Sequence, residues 1–138
     1  MEKCVENKRR YKYFTRESCI GDKDGKSISK DDVSSMPSDR HFRGAWTLSG
    51  QVISEDMTIA KAIFKDKIRE VRKPLLEAED VVYMKALEAD DASAKTASIA
   101  KKKKLRDAPA ASAITNADTI AKLKAAWDTD VLGDSPYE

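Results

Sequence analysis

The chain has 138 residues, the size of one ordinary domain, which excludes a large multidomain enzyme. Charged residues make up 36% of it and aromatics 7%, a composition that favours solvated, elongated helices over a thick core. Lys and Arg number 26 against 24 Asp and Glu, so the net charge of +2 is a near-cancellation and lacks the excess of a dedicated nucleic-acid binder.

Residues 1–36 read as a polar, partly flexible segment. Tyr11, Lys12, Tyr13 and Phe14 alternate as a short edge strand would, and residues 21–26 have the composition of an exposed turn. Cys4 and Cys19 are the only cysteines, neither a disulfide framework nor a zinc ligand set, so a reduced, intracellular history is expected. No apolar run suits a secretion signal, and none approaches the roughly 20 residues that cross a bilayer. A soluble protein with no membrane partner is expected.

Residues 37–55 read as a small β-hairpin element. Residues 45–48 and 51–53 form its strands, Ser49 and Gly50 its turn, and Trp46, Leu48 and Val52 its buried side. From Ser54, a plausible N-cap, the period becomes helical. Met57, Ala60, Phe64, Ile68, Val71, Leu75, Ala78 and Val82 form one stripe along a helix about 50 Å long. Pro74 predicts a kink or a division into two helices.

Asp90 and Asp91 end this helix, and Asp91 or Ser93 caps a return helix whose inner positions are Ala94, Ala97, Ala100 and Leu105. Residues 56–107 thus predict an antiparallel helical hairpin. Residues 108–138 predict a linker, a short helix with Ile120, Leu123 and Trp127 on one face, and a tail trailing in solvent from residue 128. The expected class is mainly α with a small N-terminal β element: a long kinked helix, an antiparallel return helix and a short C-terminal helix.

Residue chemistry alone assigns no reaction. His41 is the only histidine and has Asp39 nearby, but the chain lacks a Gly-rich phosphate loop, a paired-His metal motif and a Gly-flanked serine. No catalytic, cofactor-binding or metal-ligating residue is assigned, no cofactor is expected, and the expectation is a protein that is not an enzyme. Trp46 and Trp127 read as core residues of their own elements rather than as partner anchors.

Two surfaces remain as candidates. The helix stripe is longer than a short alanine-rich return helix can cover, so Phe64, Ile68, Val71, Leu75 and Val82 are candidate partner-binding residues, with a homo-oligomer as the simplest outcome. Lys101, Lys102, Lys103, Lys104 and Arg106 are the alternative, a possible contact for nucleic-acid phosphates in a small regulatory protein. Against that, consecutive lysines point around most of a helix, no aromatic is interleaved to stack a base, and cations near a helix C-terminus are favourable without any ligand.

Several stretches in order carry a family likeness. They are Pro37-Ser38-Asp39-Arg40-His41-Phe42-Arg43-Gly44-Ala45-Trp46, residues 66–76 from Asp66 to Leu76, residues 80–89 from Asp80 to Ala89, Lys103-Lys104-Leu105-Arg106-Asp107-Ala108-Pro109, and Leu123-Lys124-Ala125-Ala126-Trp127. This order resembles small proteins that bacteriophages and prophages encode beside their tail and tail-fibre genes, of the tail-fibre-associated or tail assembly chaperone-like kind. The resemblance spans most of residues 37–127. It implies a structural or assembly protein that binds phage tail or tail-fibre proteins, in the bacterial host cytoplasm or the virion, and it carries no catalytic motif. The family's hairpin turns at a Gly where this chain has Asp90. Residues 1–36 lie outside the clearest part of the likeness.

Overall fold

Among the described residues, short apolar patterns come first and long helical ones after them, and they form two two-stranded antiparallel sheets followed by five α-helices. In the computed structural model of the protein, the described residues are 32–138 and two short strands before them. The chain divides into two compact units, Met1–Ala60 and Lys61–Glu138, and the division falls inside the first long helix.

In the first unit, β1 (Cys19–Gly21) pairs with β2 (Ser27–Ser29), with Ile20 opposite Ile28. The sequence reading placed no strand here, because three-residue strands leave almost no periodic signal. Its proposed strand at residues 11–14 lies outside the described residues. A 3-10 turn at Arg43–Ala45 leads into β3 (Trp46–Ser49), which pairs with β4 (Val52–Glu55). Among the described residues of this unit, Phe42, Ala45, Trp46, Ile53 and Ala60 are the buried apolar ones.

The hairpin corrects the expected turn by one residue. Ser49 pairs with Val52, so Gly50 and Gln51 are its central residues, and Gly50 takes the positive φ of 61° that this turn requires at its first central position. Residues paired across the ladder share a face, so Ile53, opposite Leu48, points inward, whereas Val52, expected on the buried side, lies opposite Ser49 and is exposed. The strand also extends to Glu55, which removes Ser54 as a helix cap; its hydroxyl lies 3.1 Å from that of Thr47 across the ladder.

Asp56 caps α1 (Met57–Glu88) instead, its Oδ1 accepting from the backbone N–H of Thr58 at 2.9 Å and of Ile59 at 3.3 Å. Helix α1 is unbroken through Pro74, whose exposed ring faces solvent, so the alternative of two successive helices does not hold. A tight turn then leads to α2 (Ala92–Asp107), and a 3-10 turn at Ala108–Ala110 with buried Pro109 ends it.

The C-terminal segment is more ordered than its composition suggested. It contains α3 (Ser112–Asn116), α4 (Ile120–Ala125) capped by Thr119, and α5 (Thr129–Leu132) capped by Asp128. Leu132 is buried, and the Tyr137 ring stacks on Phe64 with centroids 5.4 Å apart, so residues 128–138 do not trail in solvent. Trp127 meets Phe64 edge-on at 5.9 Å, and its indole N–H donates to the Gly133 carbonyl at 2.9 Å. Ile68, Ala86, Leu105, Ile114, Ala117, Ile120 and Leu123 are the other buried apolar residues of this second unit.

Two cations of α1 hold the ends of later helices. Lys61 Nζ donates to the Thr115 carbonyl at 2.7 Å, near the end of α3, and an Arg72 guanidinium N–H donates to the Arg106 carbonyl at 2.7 Å, at the end of α2. Both place positive charge where the helix dipole is negative and satisfy carbonyls that the helix leaves over.

Candidate functional site

The distal part of the α1–α2 hairpin begins with its turn. Asp90 adopts φ 50°, the left-handed conformation that Gly adopts most easily. The Asp91 N–H donates to the Ala86 carbonyl at 2.9 Å and the Asp90 N–H to the Leu87 carbonyl at 3.2 Å, the bond pair of a Schellman motif. Asp therefore does here what a Gly would do, as short polar side chains tolerate this region. Asp91 is the N-cap of α2, its Oδ1 accepting from the Ala94 N–H at 2.9 Å, and Asp90 pairs with Lys95 at 2.8 Å.

Below this turn the seam between the helices is narrow and partly polar. Its buried residues are Glu79 and Ala86 from α1 and Ser98 from α2, with Leu105 closing the far end. Ala97 and Ala100, assigned to the seam by sequence, are exposed, and half-buried Ala94 remains. The Ser98 hydroxyl donates to the Glu79 carbonyl at 3.3 Å. The Glu79 carboxylate meets Lys101 Nζ at 2.8 Å, and the hydrogen bond from Lys101 holds its carboxyl below the ordinary range, with burial opposing and Ser98 assisting. One residue further, Lys102 pairs with Asp80 at 2.6 Å while its ammonium lies 4.6 Å from the centre of the Tyr83 ring.

These contacts redistribute the basic run. Lys101 and Lys102 are committed to carboxylates of α1, and the Arg106 Nε–H donates to the Lys102 carbonyl at 3.3 Å. Lys103 and Lys104 are the exposed remainder. The candidate stripe is also divided: Phe64 and Ile68 are buried in the chain's own core, Val71 and Leu75 are half-buried, and Val82 is exposed. Exposed apolar surface sits higher on the hairpin, at Val81 (54%), Met84 (53%), Leu87 (48%) and Ile99 (53%). Sequence reading missed Glu79 as a seam residue. The available signal was that Glu79-Asp80 and Lys101-Lys102 are placed almost symmetrically about Asp90, as partners in an antiparallel hairpin must be.

In the first unit, the Asp39 carboxylate accepts the His41 backbone N–H at 2.9 Å and lies 2.8 Å from its Nδ1, an exposed loop-closing arrangement. The Trp46 indole nitrogen is buried without a hydrogen-bond partner among the described residues, and the Arg43 guanidinium lies 5.9 Å from the ring. No group of His, Cys, Asp and Glu among the described residues is arranged to hold a metal ion. Among them, too, no helix is long and apolar enough to cross a membrane. No protein-family model, curated protein or solved structure matches the chain.

Proposed function

We propose that this chain is an assembly protein that works by binding other proteins through the distal half of the α1–α2 hairpin, and that its partners are phage tail or tail-fibre proteins. The observation that carries the reading is that Val81, Val82, Met84 and Leu87, in the last turns of α1, are all exposed. Few residues are buried between the helices there, so these side chains contribute little to the fold while presenting area to a partner. The tail setting rests on the sequence resemblance, as do the host cytoplasm or virion as its location and the absence of catalysis.

The pairing of Lys101 and Lys102 with Glu79 and Asp80 weighs against the nucleic-acid alternative, since a phosphate would have to displace an existing carboxylate from each. The test is co-expression with the tail and tail-fibre proteins encoded beside the gene, followed by size-exclusion chromatography. Stoichiometric co-elution with one of them supports the proposal. Failure to co-elute, together with sub-micromolar DNA binding at physiological salt, would replace it with the nucleic-acid reading.

A further inference from the structure

One side of the distal hairpin is complementary to itself. On α1, Leu76, Asp80, Tyr83 and Leu87 recur at steps of four, three and four, and on α2 Lys95, Ile99, Lys102 and Arg106 do the same. That spacing keeps side chains in register along one stripe of a helix. The Lys102–Asp80 pair and the Lys102 ammonium over Tyr83 place both stripes on the same side of the hairpin. Leu87 and Ile99 are exposed there, and Leu76 and Tyr83 are half-buried. Lys85 is exposed on the opposite side of α1, nearly half a helical turn from the centre of this stripe.

The two stripes differ in charge. That of α1 has one acid among large apolar residues, and that of α2 has Lys95, Lys102 and Arg106 around a single Ile99. We infer that this face docks a second copy of the chain, with the two hairpin tips pointing the same way, so that α1 of each copy lies on α2 of the other. A two-fold interface requires a patch that matches itself under rotation, and charge chooses between the two ways of achieving it. With tips opposed, α2 would lie on its own copy and bring two sets of cations together at the usual helix separation of about 8–10 Å. With tips aligned, each Asp80 keeps its own Lys102 and also faces the partner's, so that the two intrachain pairs meet carboxylate against ammonium, while Tyr83 and Leu87 cover Ile99 and the aliphatic stem of Lys95. The product is a four-helix arrangement in which apolar residues of α1 bury Ile99, the exposed large apolar residue of α2.

This inference uses the same exposed hairpin as the proposed function but involves no tail protein, so the two fail separately: the purified chain alone decides this one. Sedimentation equilibrium of the full chain should give a dimer with a dissociation constant in the micromolar range. Ile99→Glu should weaken it at least about tenfold without changing helicity, as an unpaired charge in a contact does, and Lys85→Glu should leave it within about twofold. Orientation is read by disulfide trapping in a Cys4→Ser, Cys19→Ser background. Chains carrying Leu87→Cys should cross-link with chains carrying Lys95→Cys, and not with chains carrying Leu76→Cys. A monomer up to about 100 µM, a dimer that responds to Lys85→Glu and not to Ile99→Glu, or a dominant Leu87–Leu76 cross-link would each overturn it.

Discussion

The Glu79 carboxylate is buried, and the Lys101 ammonium that meets it at 2.8 Å belongs to a side chain 65% exposed. One residue along each helix the relation reverses, for Lys102 is only 14% exposed and its partner Asp80 is open to water. The hairpin seam is therefore fixed by one buried anion and one half-buried cation, each neutralised from the solvent side. A buried charge left without its partner costs more than the pair contributes, which makes the lysines structural.

Lys101→Gln and Lys102→Gln should each lower stability by about 1–2 kcal/mol, a range reduced for the solvent exposure of one member of each pair. Lys103→Gln and Lys104→Gln should change it by less than about 0.5 kcal/mol. Urea unfolding of the four single variants measures this. Equal effects across the run would show that the ion pairs do not hold the seam.

The Glu79 carboxyl is held below its ordinary value of 4.5, chiefly by the hydrogen bond from Lys101. A depressed carboxyl contributes stability that is fully present above the unfolded value and is lost as pH falls through the folded one. Thermal midpoints should therefore drop below about pH 4.5 in the native chain. Glu79→Gln should flatten that acid limb, and parallel acid limbs for the two proteins would remove Glu79 from the account.

Asp90→Gly should stabilise the protein by roughly 0.5 kcal/mol, since relief of the left-handed strain exceeds the loss of an exposed pair with Lys95. Asp90→Val should destabilise it by about 1–2 kcal/mol, because a β-branched residue resists this conformation. Denaturant midpoints of the two variants should fall on opposite sides of the native value.

Burial, with a smaller contribution from the Glu70 charge, pushes the Tyr137 phenol up to about 12. The folded protein resists this ionisation, so the stability that Tyr137 contributes is present at neutral pH and declines as pH rises above about 10, the ordinary tyrosine value. Absorbance titration should show a late-ionising tyrosine that Tyr137→Phe removes. Tyr137→Ala should cost about 1–3 kcal/mol by uncovering Phe64 and Trp127.

Much of the fold was legible because the strongest patterns were long. The helical period through Phe64 and Ile68, the cap at Asp91 and the stop at Pro109 all come from local physics that tertiary packing does not override. The β-hairpin was placed one residue early because Ser49-Gly50 and Gly50-Gln51 are both acceptable turns, and only pairing partners decide between them. The C-terminal tail was misread because its order comes from Tyr137 reaching Phe64, a contact between distant residues with no local pattern. The exposed apolar surface was half legible: the stripe runs along the helix that carries most of it, but which turns the C-terminal helices would cover depends on packing. Glu79 was overlooked because a carboxylate on a charged helix reads as solvated unless its partner on the returning helix is taken with it.

The central claim is that the exposed distal hairpin contacts a partner protein while residues such as Phe64 and Ile68 hold the fold. The most direct measurement is co-elution of the chain with the tail or tail-fibre protein encoded beside it, for the native sequence and for a Val81→Asp, Val82→Asp variant, with unfolding midpoints as the folding control. The account predicts co-elution of the native chain and its loss in a variant whose midpoint stays within about 4 °C, the shift expected from roughly 1 kcal/mol. Undiminished co-elution of the variant, or none of the native chain with any tail protein, would contradict it.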